Sequence, residues 1–179
     1  MSDRAEAGYT AIARVFHWAT AALVLVMIPI GIVMANTNVG PAQDTLYHVH
    51  RSIGAVLLPL VLARLLYRMS HPPPPLPASV AAGQRRIAHV THWALYGLLL
   101  LQAVVGWIAT SAYRAPILVF WLFEVPPIWP VDRPLSESLF AAHRVMGFAL
   151  LGLITLHVGA ALFHHFVLKD AVLRRMVRD

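Results

Sequence analysis

Residues 136–168 read SESLFAAHRVMGFALLGLITLHVGAALFHHFVL, and this stretch decides the fold. Twenty-four uncharged residues separate Arg144 from Lys169, and about 20 helical residues suffice to cross a hydrocarbon core of about 30 Å. His143 and His157 lie fourteen residues apart, which is close to four full turns of an α-helix. The stretch therefore predicts a membrane-spanning helix with two histidines on one face, separated by about 21 Å along its axis.

Three other apolar runs predict spans of the same kind. We expect four spans, at about residues 11–35, 46–68, 85–112 and 136–168. The second is the least apolar, because only 12 uncharged residues separate Arg51 from Arg64, so its arginines must extend toward the interface. We see no internal repeat in the sequence. The predicted fold is all-α, an integral membrane four-helix bundle that forms a single domain over residues 1–179.

Charge and composition set the orientation and the class of protein. Ten of the 14 Lys and Arg residues fall at the N-terminus, in the Pro-rich connection after the second span and in the C-terminal tail. We therefore expect both termini to be cytoplasmic. The chain is 59% hydrophobic and 12% charged, and its basic residues end apolar runs, so membrane lipid is the expected partner and nucleic acid is not.

Histidine is the residue type left for metal or redox chemistry. The absence of cysteine excludes disulfides, thiolate metal sites, iron–sulfur clusters and covalently attached c-type haem, whereas ten histidines are present. In four antiparallel spans, His17 and His157 lie at the cytoplasmic level, and His50 and His143 lie at the periplasmic level. Two opposed imidazoles at one depth are what a b-type haem needs. The spacing predicts two haem b groups, with His17/His157 and His50/His143 as pairs of axial iron ligands.

Small residues next to these histidines support the assignment, since a flat macrocycle needs room one turn from its ligand. The residues four positions after the proposed ligands are Ala21, Gly54, Gly147 and Ala161. His48 is followed by Ser52 in the same way, so His48 stays an alternative to His50. Zinc held at the membrane rim by His89/His92 or His164/His165 is a competing metal site, and a lone histidine can also simply bond a neighbouring helix.

Several motifs are typical of one family. They are Arg14-Val-Phe-His17-Trp18, Val49-His50-Arg-Ser52-Ile53-Gly54, Ala63-Arg64-Leu-Leu-Tyr67-Arg68, His92-Trp93-Ala-Leu-Tyr96, Gly106-Trp107, His143 and the ending His157-Val-Gly-Ala-Ala161-Leu-Phe-His164-His165-Phe166. With them the chain resembles, over nearly its whole length, the bacterial cytochrome b561 family of di-haem membrane proteins. The resemblance implies the same four haem ligands and a multi-pass protein of the bacterial inner membrane. It departs from the family at Arg144, where members often carry Glu.

The resemblance also suggests an activity, because the branch nearest to this chain includes a superoxide oxidase that passes electrons to ubiquinone. We therefore expect a superoxide:ubiquinone oxidoreductase, without assigning an individual catalytic residue. Arg51 and Arg144, helped by Arg114 and Arg133, would steer the anion or pair with haem propionates and nearby acids. The candidate quinone site consists of His164, His92, Trp18 and Lys169, although His164 and His92 could instead bond propionates or the main chain.

Two other function classes stay open at this point. One is a haem b relay subunit that accepts electrons from a protein partner, such as a dehydrogenase, a hydrogenase or a periplasmic carrier, and reduces quinone. The other is a haem-free membrane transporter whose histidines line a pathway. The sequence lacks the intramembrane acids and the broken inverted repeats expected of such a transporter.

Overall fold

The computed structural model describes residues 8–36, 38, 40–77 and 79–177. Four long helices account for most of them: α1 (Ala11–Asn36), α2 (Ala42–Ser70), α3 (Ala82–Tyr113) and α4 (Arg133–Phe163). A two-stranded antiparallel hairpin, β1 (Ile117–Val119) and β2 (Phe123–Val125), lies between α3 and α4. A π-helical turn (His164–Leu168) extends α4, and a short helix α5 (Arg174–Val177) follows it.

All four long helices are long and apolar enough to cross a membrane, which confirms the predicted number of spans. Helix α1 packs on α2, α2 on α3, and α3 on α4. The outer faces of the bundle are apolar, as shown by the exposure of Val15, Leu25, Val145 and Phe148. A bundle that leaves such side chains outside is suited to lipid, where backbone groups must be satisfied within each helix.

Helices α2, α3 and α4 begin before the predicted residues, most clearly α2, whereas α1 begins at the predicted residue. Polar residues extend α2 to 29 residues, from Ala42 to Ser70, so that Arg51, Arg64 and Arg68 all belong to it. Helix α4 begins three residues before the predicted boundary, because the Asp132 carboxylate accepts a hydrogen bond from Leu135 N–H and caps it. Charge and hydropathy therefore located the membrane-embedded parts, while capping sets the helix ends.

The two ends of the described chain meet at one end of the bundle, called here the terminal end. Tyr9 N–H donates to the Arg175 carbonyl oxygen (3.1 Å), and the Trp18 indole N–H donates to the Met176 carbonyl oxygen (2.9 Å). Arg175 is buried and donates through Nη1 to the carbonyl oxygen of Pro75 in the Pro-rich connection (2.9 Å). The C-terminal segment thus fastens α1 to the connection between α2 and α3.

The β-hairpin covers the opposite end of the bundle, called here the hairpin end. Its inner residues Ile117 and Val119 are buried, and Ser52 of α2 fastens it. The Ser52 hydroxyl accepts from Phe120 N–H (2.9 Å) and lies within 2.9 Å of the carbonyl oxygens of both His48 and Leu118. The long connection is therefore an ordered cover over α2, built around a single buried hydroxyl.

The apolar core lies halfway between the two ends. Its buried residues are Val24, Ile53, Leu57, Val61 and Tyr96. Val24 lies seven residues from both His17 and Gly31, and Leu57 lies seven residues from both His50 and Arg64. The core therefore separates the histidines of the terminal end from those of the hairpin end by an apolar layer.

Candidate functional site

Four histidines meet in two pairs, one at each end of the bundle. The ring centroids of His17 and His157 are 6.2 Å apart, at an interplanar angle of 66°. Those of His50 and His143 are 6.1 Å apart, at 73°. Two imidazoles that bind one metal ion from opposite sides, through bonds of about 2 Å, have their ring centres about 6 Å apart. Both pairs therefore have the spacing of opposed ligands.

Glycines on the neighbouring helices seat the two rings at the hairpin end. A Cβ atom at Gly31 of α1 would lie 3.1 Å from Cε1 of His50. A Cβ atom at Gly106 of α3 would lie 3.1 Å from Cε1 of His143. Both distances are shorter than ordinary carbon contacts of about 3.5–4.0 Å, so neither position accepts a side chain without moving a ring. Each ring is held between its own helix and a glycine backbone.

The two rings at the hairpin end lie close to the main chain of the neighbouring helices. The ring of His50 approaches the main chain of Met27, and that of His143 approaches the main chain of Gln102. Neither Nδ1 completes a hydrogen bond of normal geometry, and both atoms are buried. A metal-ligating histidine commonly directs its second ring nitrogen at a backbone carbonyl, which leaves the first nitrogen for the metal. The environment of both rings fits that role.

These residues fit a haem group better than a compact metal site. Among residues 8–36, 38, 40–77 and 79–177, no three or more His, Asp or Glu side chains gather as a metal-binding group. What the bundle offers is two separate pairs of imidazoles, each between apolar helices, and that donor set suits six-coordinate haem iron. His17 and His157 would hold one group at the terminal end, and His50 and His143 would hold a second at the hairpin end.

The pair at the terminal end has additional polar neighbours. Nη2 of Arg64 lies 2.8 Å from Nδ1 of His17, and the guanidinium carbon of Arg64 lies 5.1 Å from the ring centroid of Tyr96. The ring of His92 lies 5.2 Å from that of His157. Three imidazoles and one guanidinium therefore share this level of the bundle, whereas among the described residues no arginine has a hydrogen bond to either ring of the hairpin-end pair.

His48 takes a different position from His50. Its ring lies 5.9 Å from that of Trp121, at 37°, on the outer side of α2 beneath the hairpin. His50, two residues further along the helix, is the one that faces His143. The serine four positions after His48 is the one that fastens the hairpin. The structure therefore places His48 against the cover and His50 inside the bundle.

The arginines considered for anion steering have unequal surroundings. Arg51 is half-buried, donates through Nε to the Tyr47 carbonyl oxygen (3.2 Å) and is influenced by the charge of Asp44. Arg133 lies 3.9 Å above the ring centroid of Tyr113. Arg144 is exposed directly after His143, and Arg114 lines a small cleft of about 120 Å³. Arg144 is thus an exposed cation directly beside one histidine of the hairpin-end pair.

The residues considered for a quinone site are not joined to one another. No hydrogen bond or ring contact links His164, His92, Trp18 and Lys169 among the described residues. The indole N–H of Trp18 is taken by Met176, and Lys169 is exposed at the end of the π-helical turn. His164 is buried, and its Nδ1 lies 2.5 Å from the carboxylate of Asp170.

Several residues of the site were missed from the sequence. Asp170 was missed because the π-helical turn and the left-handed Lys169 bring it back onto His164. Arg64 was treated as an interfacial residue, whereas it lies beside His17. Gly106 carried a signal that could have been used: it follows His92 by fourteen residues, just as Gly31 follows His17.

Comparison with known proteins supports a single family. The family model for prokaryotic cytochrome b561 matches residues 8–179. The chain is 34% identical over 174 residues to cytochrome b561 homolog 2 of Escherichia coli K12, covering 94% of this chain and 90% of that one. It is 32% identical over 138 residues to the probable superoxide oxidase CybB of Yersinia pestis, covering 75% and 76%. It is also 31% identical over 179 residues to cytochrome b562 of Cereibacter sphaeroides, covering 97% of each chain.

The family-model match extends over the helices that carry both histidine pairs. It agrees with four membrane-capable helices and with redox chemistry as the general activity. The chain belongs to the prokaryotic cytochrome b561 family, as a multi-pass electron-transfer protein of the bacterial inner membrane.

Proposed function

We propose that this chain carries electrons from superoxide on the periplasmic side to ubiquinone on the cytoplasmic side, using two haem b groups. His50 and His143 would bind the group at the hairpin end, and His17 and His157 would bind the one at the terminal end. The observation that carries the proposal is the pair of ring spacings, 6.1 and 6.2 Å, at opposite ends of one bundle. The relative named a probable superoxide oxidase, 32% identical, supports superoxide as the donor.

The charge distribution supports the orientation. Arg14, Arg85, Arg86 and Arg174 belong to the terminal end, and basic residues accumulate on the cytoplasmic side of membrane proteins. The hairpin end then faces the periplasm. Superoxide would arrive there, and quinone would be reduced at the cytoplasmic surface, where protons are available.

The haem groups, when bound, would supply one-electron transfer, and each would be held by two imidazoles. The protein's own residues do the remaining work. Exposed Arg144 attracts an anion to the mouth next to His143, and Ser52 keeps the hairpin over the neighbouring helix. The apolar layer around Val24 and Leu57 keeps water out of the space between the two histidine levels.

Quinone reduction also needs protons, and the terminal end offers a route for them. Ubiquinone becomes ubiquinol by taking two electrons and two protons, so two superoxide ions are oxidised to two molecules of oxygen per quinone. His164 donates from Nδ1 to Asp170, and its other ring nitrogen is left to face a quinone carbonyl. Lys169, the residue before Asp170, is exposed, so protons would reach the pair from this side. We therefore keep His164 and add Asp170 as the groups that would protonate quinone.

The experiment is superoxide-driven reduction of the purified protein, followed by the haem absorption band, with and without added ubiquinone. The proposal predicts rapid reduction by superoxide and reoxidation by quinone. Arg144→Gln should slow reduction about two- to threefold at low ionic strength, and the difference should vanish at high salt. The effect is small because four acids, Asp44, Glu124, Asp132 and Glu137, accompany the four arginines of the hairpin end.

Arg86→Gln is the matched control, because Arg86 is an exposed arginine at the opposite end of the bundle. It should leave the rate of reduction by superoxide unchanged. A purified protein without haem would refute the proposal as a whole. A protein with two haem groups that superoxide reduces slowly, with no dependence on salt or on Arg144, would refute superoxide as the donor.

A second candidate is a relay that takes electrons from a protein partner. The observation that favours it is the apolar tip of the hairpin, where Trp121, Leu122 and Phe123 are 59%, 81% and 59% exposed. Exposed apolar patches of this kind mark interaction sites. A partner dehydrogenase, hydrogenase or periplasmic carrier that reduces the protein faster than superoxide does, and more slowly after Leu122→Ser, would support this candidate.

A further inference from the structure

The two helical hairpins of the bundle, α1–α2 and α3–α4, are repeats of each other. His17-Trp18 in α1 is followed fourteen residues after the histidine by Gly31, and His92-Trp93 in α3 is followed at the same spacing by Gly106. The other two helices repeat likewise. His50-Arg51 in α2 is followed by Gly54, and His143-Arg144 in α4 by Gly147, in both cases four residues after the histidine.

Equivalent residues also make equivalent contacts. A Cβ atom at Gly31 would meet His50, and one at Gly106 would meet His143, both at 3.1 Å and both at Cε1. A Cβ atom at Gly54 would lie 3.2 Å from the side chain of Met27, and one at Gly147 would lie 3.2 Å from that of Gln102.

Met27 and Gln102 are themselves equivalent, since each lies four residues before its glycine and each is approached by the ring of its histidine. The hairpin end is therefore a site with twofold pseudosymmetry, in which each half supplies one histidine, one glycine and one main-chain contact. The sequence alone indicated no internal repeat, because few side chains are identical and the correspondence shows only in spacing and contacts.

The pseudosymmetry is broken at the terminal end. The residue fourteen positions after His143 is His157, and the residue fourteen positions after His50 is Arg64. His92 in α3 is the equivalent of His17 in α1. The first half thus presents His17 and Arg64, where the second half presents His92 and His157. An arginine stands at the position that a ligand histidine occupies in the other half.

Arg64 places a permanent positive charge beside this one pair of histidines. Its Nη2 lies 2.8 Å from Nδ1 of His17, and its charge acts on both His17 and His157. Within the part of the chain that the structure describes, no carboxylate is paired with it; its other close neighbour is the ring of Tyr96. A guanidinium stays charged at any physiological pH.

In the described ranges of the chain, no arginine contacts a ring of the hairpin-end pair as Arg64 contacts His17. Arg51 donates through Nε to the Tyr47 carbonyl oxygen, and the opposite charge of Asp44 is close to this arginine. Arg144 is exposed to solvent, where its field is screened. The two histidine pairs have nearly the same ring spacing, and the arginine beside His17 is one difference between the two sites.

We propose that Arg64 sets the direction of electron flow by raising the redox potential of the group held by His17 and His157 above that of the group held by His50 and His143. A reduced iron centre carries one positive charge less than an oxidised one, so a fixed cation nearby favours the reduced state. At distances of several ångströms and an effective dielectric constant of about 20, the effect on the equilibrium constant is about tenfold or more. The inference rests on the two haem groups of the proposed function, but on neither superoxide nor quinone.

The test is a redox titration of the full-length purified holoprotein, using chemical oxidants and reductants and following the haem absorption. His143→Ala and His157→Ala backgrounds assign each midpoint to one end of the bundle. Arg64→Gln should lower the equilibrium constant for reduction of the terminal-end group about tenfold. For one electron this corresponds to a fall of about 59 mV in the midpoint potential. The equilibrium constant for reduction of the hairpin-end group should change by less than about twofold.

Two further variants separate charge from structure. Arg64→Lys keeps the charge and should restore the terminal-end midpoint to within about threefold of its original equilibrium constant. Arg68→Gln is the matched control: Arg68 lies one turn further along α2, 5.8 Å from the same Tyr96 ring, and acts on His92 rather than on His17 or His157. This substitution should change the equilibrium constant for reduction of either group by no more than about threefold.

Unchanged midpoints in Arg64→Gln, or equal shifts of both groups, would overturn the proposal. If Arg64→Gln fails to retain the terminal-end group, Arg64→Lys is the deciding variant. A terminal-end midpoint near the original supports the proposal. A tenfold fall in the equilibrium constant for reduction, despite the retained charge, overturns it. The proposed function fails separately, since a protein inert to superoxide but with these midpoints would keep the role of Arg64.

Discussion

Substituting the glycines that touch the hairpin-end rings gives the sharpest test of the candidate haem site. In Gly106→Val and Gly31→Val, the new Cβ would start 3.1 Å from Cε1 of His143 or His50. Reaching an ordinary carbon contact of about 3.5–4.0 Å requires the ring to move by about 0.4–0.9 Å. Metal–ligand bond lengths tolerate only about 0.2 Å, so the displaced ring can no longer complete the pair.

We expect each of these variants to retain one haem per chain instead of two. The measurement is a pyridine-haemochrome count against protein concentration, supported by the dithionite-reduced spectrum. Gly97→Val in α3 and Gly152→Val in α4 are matched controls, because a Cβ atom at either position meets nothing within 4 Å. Two haem groups per chain in both test variants would refute the assignment of this pair. Equal losses in the controls would show that any valine in these helices disturbs the bundle.

Three further outcomes follow from other contacts of the site. His143→Ala should remove one haem and leave the other, whereas His48→Ala should leave both, as the same haem count would show. Ser52→Ala removes the buried hydroxyl that fastens the hairpin and should lower the free energy of unfolding by about 1–3 kcal/mol. Denaturation in detergent measures this free energy, and an unchanged value would contradict the role of Ser52. Asp170→Asn removes the charged partner of His164 and should slow reoxidation by ubiquinone about tenfold or more, while the rate of reduction by superoxide stays constant.

The membrane architecture could be predicted because it depends on properties that are local in the sequence. Uncharged runs of sufficient length mark the spans whatever the neighbouring helix is, and the charged residues that end them mark the sides. The second span was the hardest, since Arg51, Arg64 and Arg68 all lie within α2. Its arginines are accommodated by Tyr47, His17 and Tyr96, and none of these contacts can be seen without the folded bundle.

The histidine pairs could be anticipated from depth alone, because a straight helix converts sequence spacing into height. The preference for His50 over His48 had less support, since it depended on which side of α2 faces the bundle. The structure separates the two: His48 contacts Trp121 of the hairpin, a residue more than seventy positions away. The long connection gave no periodic pattern from which that contact could be predicted.

The quinone region was the least predictable part of the chain. It depends on a π-helical turn and on a left-handed residue, Lys169, which together return Asp170 to His164. A sequence reading that continues α4 as a regular helix places Asp170 on solvent instead. Polar contacts made by irregular backbone have no signature in hydropathy or spacing, and for that reason Asp170 was missed.

Helix α4 contributes one histidine to each pair, and this has a consequence for how the protein is made. The other partners, His17 and His50, emerge from the ribosome with the first two spans, long before His143 and His157. Neither pair can close until the last span has entered the bilayer. If these pairs hold the two groups of the proposed function, loading follows synthesis of nearly the entire polypeptide, and a nascent chain stalled before residue 133 has neither pair complete.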